Sequence, residues 1–284
     1  MKLVDTKDLK SLPFGSASSS LAEGTKITMI KFHFTFDKTK NSQNLKKKLL
    51  NKYKNYSAKI CNIIVVAGGD GYMLNSLKKY EKFKKPFYGI NCGTYGFLMN
   101  RYAFENLEKK ITRAKKTIIN PLQIVSYNNK VLRKDLIAVN EVSLFRQTKQ
   151  TASLKLEIEK KTIIKKLIGD GVLISTPAGS TAYNLSVHGP ILSLNSGKLA
   201  ITPISPFRPR RWKGKIISNS VKIKLTNLDP KKRPVAAVAD NIEIRNIKFL
   251  TIRTNKNINL TLLYDPGRSL VKRIKIEQIR KNFN

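Results

Sequence analysis

The clearest fold signal in the chain is the stretch Cys61-Asn62-Ile63-Ile64-Val65-Val66-Ala67-Gly68-Gly69-Asp70-Gly71. Its first part is a short run of β-branched residues that ends at glycines, which is typical of a buried parallel strand. Apolar residues at helical spacing follow at Met73, Leu74 and Leu77. The stretch therefore predicts a strand, a glycine-rich turn and a helix, which together form the repeating unit of a doubly wound sheet.

The residues around this unit continue the alternation of strands and helices. Residues 26–34 alternate apolar and polar side chains as a strand does, and residues 38–55 carry leucines at helical spacing. A further predicted strand, Phe87–Ile90, ends at the glycine-containing loop of residues 91–98. We therefore expect a doubly wound, Rossmann-like α/β domain over residues 1–118.

From about residue 119 the pattern changes to short β-rich runs separated by turn residues. The runs are Leu122–Ser126, Leu136–Phe145, Leu154–Ile158, Val172–Ser175, Val221–Leu225, Ile242–Ile247 and Leu260–Leu263. Long helical patterns are scarce, although the tail Ser269–Arg280 could form a closing helix. We expect a mostly β domain over residues 119–284, with the cleft between the two domains as the default place for a binding site.

Composition excludes several classes of protein. Hydrophobic residues make up 41% of the 284 residues, which is enough for a folded core. Two cysteines and two histidines are too few for a disulfide framework, a four-thiolate zinc site or a histidine-rich metal centre. No apolar run reaches the roughly 18 residues of a membrane span, and the N-terminus lacks a secretory signal pattern. We expect a soluble, cytoplasmic protein.

The chain is strongly basic. Lysine and arginine number 55 against 18 aspartate and glutamate residues, so the formal net charge is +37. Such a charge attracts nucleic acids, and it equally attracts small polyanions such as nucleotides. The lysines are spread in short clusters, without a recognition helix, a zinc finger or an aromatic RNA-binding motif. The charge alone therefore does not predict a nucleic-acid partner.

The turn Gly68-Gly69-Asp70-Gly71 is the first motif with chemical meaning. A glycine-rich turn between a buried strand and a helix lets phosphate oxygens approach backbone N–H groups and the helix N-terminus. A carboxylate there repels phosphate, but it has a use if Asp70 faces a hydroxyl or a magnesium-bound phosphate. The alternative is a tight turn in which Asp70 caps the helix.

Two further motifs offer groups for a nucleotide. The segment Gly169–Ser186 leaves a strand as a loop rich in small and hydroxyl residues, and Tyr183 could stack on a base. Its alternative is a polar turn that caps a helix. The pair Asn140-Glu141 lies in the middle of a predicted strand, where the carboxylate could accept both hydroxyls of a ribose. The exposed edge of a β domain is the ordinary explanation of such a pair.

Taken together, the motifs resemble those of the NAD kinase family. The shared patterns are GGDG, NxGxxGFL, the Asn-Glu pair and DGxxxSTPxGSTAYNLS, in the family's order from about residue 60 to 195. The resemblance implies ATP-dependent phosphorylation of the 2′-hydroxyl of the adenosine ribose of NAD, with a divalent cation such as Mg²⁺. It also implies a β-sandwich-like C-terminal domain and homo-oligomers, dimers or tetramers.

The resemblance also assigns site residues. Asp70 would accept the proton and, with the other matched positions, contact the substrates. Those positions are Gly71, Asn140, Glu141, Asp170, Ala178, Thr181, Ala182, Tyr183, Asn184, Leu185 and Ser186. The chain departs from the family at Ile168, where some members have a basic residue. A lipid or diacylglycerol-type kinase that shares the GGDG turn, and a non-enzymatic nucleic-acid-binding protein, are the alternative functions.

Overall fold

The computed structural model describes residues 30–93, 96–103, 105–128, 133–267 and 270–281. Within them the helices are α1 (Lys40–Lys52), α2 (Asp70–Tyr80), α3 (Leu107–Arg113), α4 (Tyr183–Ser186) and α5 (Leu270–Lys281). The strands of the first half are β1 (Phe32–Phe36), β2 (Ile63–Gly68), β3 (Phe87–Asn91), β4 (Lys115–Ile119), β5 (Leu122–Asn128), β6 (Arg133–Ala138) and β7 (Glu141–Arg146). Those that follow are β8 (Ala152–Ile158), β9 (Lys161–Gly169), β10 (Gly171–Ser175), β11 (Lys198–Ile204), β12 (Lys215–Ser218), β13 (Ile223–Asn227), β14 (Val235–Ala239), β15 (Ile242–Ile244), β16 (Ile247–Thr254) and β17 (Leu260–Tyr264).

The N-terminal part is a five-stranded sheet with helices on both faces. Its strand order is β1-β2-β3-β17-β4, and β1, β2, β3 and β17 run parallel. Side chains of β2 alternate between the two faces: Val65 packs in a cluster with Leu49 of α1, and Val66 packs in a cluster with Leu77 of α2. The predicted doubly wound α/β part is confirmed, because both faces of the central strands are buried under helices.

The C-terminal part consists of two six-stranded antiparallel sheets. Their orders are β12-β11-β10-β7-β14-β15 and β6-β5-β16-β13-β8-β9. One apolar cluster contains Val172 and Ile201 from the first of these sheets together with Leu225 and Leu250 from the second. The two sheets therefore share one core, and the predicted mostly β, sandwich-like part is confirmed.

The end of the chain returns to the N-terminal sheet. Strand β17 pairs with β3 on one side and with β4 on the other, and Ile274 of α5 packs in the same cluster as Met73 of α2. The assignment of Leu260–Leu263 to the β-rich half was wrong, because a strand pattern does not show which sheet a strand joins. The predicted closing helix is present from Leu270, whereas Ser269 lies outside the described residues. A domain boundary at residue 118 stays a prediction.

Two predicted strands are each broken in two. The run Leu136–Phe145 divides into β6 and β7, which belong to different sheets, so Asn140 lies at a corner rather than in the middle of a strand. The run Ile242–Ile247 divides at Asn246, whose backbone is left-handed with φ +58°. Of the strand predicted over residues 26–34, residues 26–29 lie outside the described part. No helix in the described ranges is long and apolar enough to cross a membrane.

Candidate active site

Asp70 is the first residue of α2, and its carboxylate faces a loop rather than its own helix. Gly69 occupies the N-cap position, and no side chain caps the helix there. The N–H groups of Phe97 and Leu98 donate to the two carboxylate oxygens of Asp70, at 2.6 and 2.9 Å. The alternative in which Asp70 caps α2 is therefore wrong. Residues 97 and 98 belong to the loop after β3, which the sequence pattern also singled out.

Burial is the largest influence on the pKa of Asp70. Burial raises the pKa of the Asp70 carboxyl, and this effect exceeds the lowering by the two N–H donors and by Arg273 of α5. A carboxylate with a raised pKa accepts a proton more readily at neutral pH. The residue type and its burial therefore suit a general base.

Open space lies in front of the turn that carries Asp70. A side chain at Gly69 or Gly71 would meet no atom within 4 Å, and neither residue has a left-handed backbone. Packing within the protein therefore does not require glycine at these two positions. The space adjoins the N-terminus of an 11-residue helix, where backbone N–H groups and the helix dipole attract anions.

The pair Asn140-Glu141 is held at its corner by Asp240. The Asp240 carboxylate accepts hydrogen bonds from the N–H groups of Val139, Asn140 and Glu141, at 2.9, 2.8 and 3.3 Å. The Asp240 carboxylate also pairs with the Lys78 ammonium of α2, at 3.1 Å, and the Asp240 side chain is fully buried. Asp240 replaces the ladder hydrogen bonds that the chain gives up where it passes from one sheet to the other.

Glu141 and Asn140 each present a polar atom that the protein leaves without a partner. Glu141 is 9% exposed, and burial, followed by the nearby Asp240 charge, raises its pKa to about 8. Neither Glu141 Oε2 nor Asn140 Oδ1 has a hydrogen-bond partner among the residues that the structure describes, and both atoms are buried. Buried polar atoms in native proteins are normally hydrogen-bonded, so these two indicate a place for a ligand.

A cavity of about 380 Å³ lies in front of Glu141. Arg146, Tyr183 and Asp240 contribute to its lining, and its volume falls in the range of small-ligand pockets. Asp170 does not line the cavity itself, but its carboxylate pairs with Arg146, with 2.5 Å between Oδ1 and Nε. The Tyr183 ring is 40% exposed, and the pKa of its hydroxyl is raised by burial and by the charges of Asp170 and Glu141.

The segment after β10 reaches this place through a close backbone contact. Its first turn is a 3₁₀ helix, Ala178–Thr181, and a side chain at Gly179 would overlap the backbone carbonyl of Asn140. Ala178 is buried in an apolar cluster that also contains Met73 of α2 and Leu98 of the loop that holds Asp70. The segment therefore lies against both the Asn140 corner and the helix that begins at Asp70.

Other members of the segment differ in what their side chains can do. Asn184 is fully buried, and its amide donates to Ser180 O and Pro190 O and accepts from the Thr202 hydroxyl. These bonds give the Asn184 side chain a structural role, so only its backbone is left for a ligand. Thr181, Ala182 and Leu185 are partly buried, and Ser186 is exposed.

The structure adds three residues to the predicted site: Lys78, Arg146 and Asp240. Their partners are distant in sequence: Asp240 is 100 positions from Asn140 and 162 from Lys78, and Arg146 is 24 positions from Asp170. No local pattern reveals such pairs. Among the described residues, no group of three or more His, Cys, Asp or Glu side chains could hold a metal ion.

The fold and the site together define a class: an enzyme with an α/β part that carries a buried carboxylate at a glycine-rich helix start and a β part that carries a ligand-sized cavity. Two family profiles match the sequence. The ATP-NAD kinase N-terminal domain matches residues 17–117, and the ATP-NAD kinase C-terminal domain matches residues 139–256.

Full-length relatives agree with these profiles. The NAD kinase of Brucella melitensis is 44% identical over 255 residues, which cover 90% of this chain and 99% of the relative. The NAD kinase of Caulobacter vibrioides is 43% identical over 237 residues, which cover 84% of this chain and 91% of the relative. The chain belongs to the NAD kinase family. The resemblance and the enzyme class inferred from the motifs are thereby confirmed.

Solved structures share the fold. An NAD kinase from Archaeoglobus fulgidus in complex with ATP superposes with a TM-score of 0.69 at 21% identity, covering 88% of this chain and 99% of the other. Yeast NADH kinase complexed with NADH superposes with a TM-score of 0.68 at 23% identity, covering 78% of this chain and 67% of the other. At these identities the likeness concerns the fold.

Proposed function

We propose that this chain transfers the γ-phosphate of ATP to the 2′-hydroxyl of the adenosine ribose of NAD, giving NADP and ADP. The observation that carries the proposal is a pair of buried, unpartnered atoms, Asn140 Oδ1 and Glu141 Oε2, of which Glu141 lines a ligand-sized cavity. In a member of the NAD kinase family, the ribose and the base of the dinucleotide are the groups that supply their missing partners.

Asp70 is the proton acceptor in this proposal. The bond between the γ-phosphorus and its bridging oxygen breaks, a bond forms from phosphorus to the 2′-oxygen, and the hydroxyl proton passes to Asp70. Two backbone N–H groups fix both carboxylate oxygens, and each oxygen keeps a lone pair for the proton. Burial raises the pKa of Asp70, which supports the same role.

The remaining matched residues serve binding. Glu141 accepts the ribose hydroxyls, Tyr183 offers a ring face to a base, and Asp170 contributes together with Arg146. Gly71 leaves room for the phosphates at the start of α2. The other proposed contacts come from the backbone of Ala178, Thr181, Ala182, Asn184, Leu185 and Ser186, in the segment whose Gly179 packs on the Asn140 carbonyl.

A divalent cation, taken as Mg²⁺, enters the proposal with the triphosphate. The described residues form no carboxylate cluster, and Mg²⁺ in kinase sites is held largely by phosphate oxygens and water, with one or two protein carboxylates. When bound, it neutralises charge on the transferred phosphoryl group. The residues present therefore fit a cation that the nucleotide brings, and we assign it no cage of protein ligands.

The test is a phosphorylation assay on the purified chain. We expect NADP, measured with an NADP-specific dehydrogenase, to form from NAD and ATP when Mg²⁺ is present and not when it is chelated. Inorganic polyphosphate in place of ATP determines the range of donors. Phosphorylation of diacylglycerol without phosphorylation of NAD would support the lipid-kinase alternative instead.

We also propose that the chain forms homo-oligomers in the cytoplasm. The face of the second β-sheet turned away from the core carries a stacked pair, Tyr127 and Phe249, with 4.3 Å between ring centroids, beside a surface cavity of about 470 Å³. Such a face suits contact with a second copy. Light scattering on the eluted protein measures the oligomer; the mass of a single chain would contradict the proposal.

A further inference from the structure

Arg273 of the C-terminal helix α5 binds the loop that holds Asp70. One guanidinium nitrogen donates to Gly96 O at 2.7 Å and to Phe97 O at 2.6 Å, and the other donates to Met99 O at 2.6 Å. The guanidinium also lies over the ring of Tyr264 in β17, 5.5 Å from its centroid. One side chain therefore satisfies three carbonyl groups within four consecutive residues.

The backbone N–H groups of the same loop contact Asp70. The N–H groups of Phe97 and Leu98 donate to Asp70, while the carbonyls of the same short loop accept from Arg273. The loop thus lies between α2, which carries Asp70, and α5, which carries Arg273. Moving Arg273 would release the carbonyls and with them the N–H groups that orient the Asp70 carboxylate.

We propose that Arg273 is a positioning residue for phosphoryl transfer: it fixes the loop of residues 96–99 so that two N–H groups hold Asp70 toward the acceptor hydroxyl. The proposal rests on the proposed role of Asp70. A planar guanidinium can donate to three carbonyls at once, and a lysine ammonium cannot reproduce that geometry. Displacements of about 1 Å in a catalytic group can reduce rates by roughly 100-fold.

Three variants test the proposal, all assayed as the full-length chain. R273M keeps the aliphatic stem and removes the donors, R273K keeps the charge, and K275M removes an exposed charge from the same helix as the matched control. We expect R273M to lower kcat by roughly 10- to 100-fold with KM for NAD changed less than about threefold. R273K should regain part of the loss, and K275M should match the wild type.

Two further readouts separate positioning from folding. Guanidinium at millimolar concentration should restore part of the kcat of a fourth variant, R273A, and hydrogen exchange at Phe97 and Leu98 should become faster in R273M. Among the described residues, the Arg273 cation lowers the pKa of Asp70, and the Asp70 charge raises the pKa of the nearby Tyr264 hydroxyl. Loss of the Arg273 cation should therefore move the acidic limb of the kcat profile to higher pH.

The outcomes are distinct. A wild-type chain that does not phosphorylate NAD contradicts the proposed function. An active wild type with an R273M variant of normal kcat contradicts the role of Arg273. The role of Arg273 is also contradicted if kcat falls only in proportion to the amount of folded protein, while the pH profile stays the same and guanidinium restores no activity.

Discussion

If Glu141 binds the ribose as proposed, its buried carboxyl should make NAD binding depend on pH. Its pKa is raised to about 8 by burial and by Asp240, so the free protein holds this group mostly protonated at pH 7. Ribose hydroxyls donate to the ionised form and therefore lower its pKa. Below pH 8 binding then releases a proton, and NAD affinity should rise with pH by at most about tenfold per unit before it levels off above pH 8. Calorimetry in buffers of different ionisation enthalpy measures that proton.

The matched variant is Glu141→Gln. An amide does not titrate and accepts ribose hydroxyls less well, so its NAD affinity should be weaker by about 1–3 kcal/mol and independent of pH in this range. If the variant keeps the wild-type slope, another group is responsible for it. If it also keeps the wild-type affinity, Glu141 does not contact NAD.

Asp240 has a structural role that can be measured separately. In Asp240→Asn, the amide NH₂ would face N–H donors and the Lys78 ammonium in a buried place. We expect a loss of about 3–5 kcal/mol in the free energy of unfolding, measured by urea denaturation. Glu243→Gln is the control, because the Glu243–Arg245 pair lines the same cavity but is solvent-exposed. The control should change stability by less than about 1 kcal/mol, and equal effects of the two variants would contradict the role of Asp240.

Residue identity was easier to predict than residue function. Asp70 and Glu141 stand in motifs that sequence alone singles out. The loop that holds Asp70 and the corner at Asn140, however, depend on partners far along the chain. The Asp240 carboxylate reaches Asn140 across 100 positions, and Arg273 reaches Phe97 across 176. Such contacts follow from the packing of the whole fold and leave no local pattern.

The start of α2 gives a prediction that separates function from stability. Gly71→Ala places a methyl group in open space within a helix, so stability should stay the same or rise by about 0.4–1 kcal/mol. The same methyl group should obstruct the phosphates and raise KM for ATP. Thermal unfolding and steady-state kinetics on one preparation measure both effects.

Gly68→Ala is the control for this prediction. A side chain there would lie 2.8 Å from Asp37 Oδ2 and 3.0 Å from Tyr72 Cβ, so this variant should lose stability. If Gly71→Ala retains normal kinetics with ATP, the open space at the turn does not receive the triphosphate.

Strand and helix patterns predicted most elements near the motifs and failed where strands change sheets. The β2–α2 unit follows from hydrophobic periodicity, because each part buries its apolar face against its immediate neighbours. The division of Leu136–Phe145 into β6 and β7 does not, because apolar residues resume directly after the polar pair Asn140-Glu141 and the run then matches one strand. Only the buried Asp240 carboxylate, which satisfies the N–H groups there, shows why the ladder can end.

The net charge of +37 acts on the molecule as a whole. A basic surface draws anionic substrates toward the site, and salt screens this attraction over about 8–10 Å at moderate ionic strength. We expect kcat/KM for ATP to fall with added salt more steeply than kcat/KM for NAD, which carries less charge, while kcat changes little. A kcat/KM for ATP that does not change with salt would show that the charge does not steer this substrate.

The two-part architecture was predictable from the change of pattern near residue 119, but the path of the chain was not. Strand β17 lies between β3 and β4, so the last part of the sequence completes the first sheet. Pairing partners depend on the assembled sheet, and periodicity within a strand does not encode them. The same return brings α5 and Arg273 against the loop that holds Asp70.

The most direct test of the central claim is the single-turnover rate of NADP formation by Asp70→Asn with NAD and Mg-ATP at saturation. Asparagine cannot accept the proton, so we expect the rate to fall by about 10²–10⁴-fold while NAD affinity, measured by calorimetry, stays within about threefold. The asparagine amide also loses one of the two N–H contacts that orient Asp70. The rate of R273M, in which both contacts are loosened, gives an upper limit for that part of the loss. A folded Asp70→Asn variant with a rate above about one tenth of the wild type would contradict the assignment of Asp70 as the base.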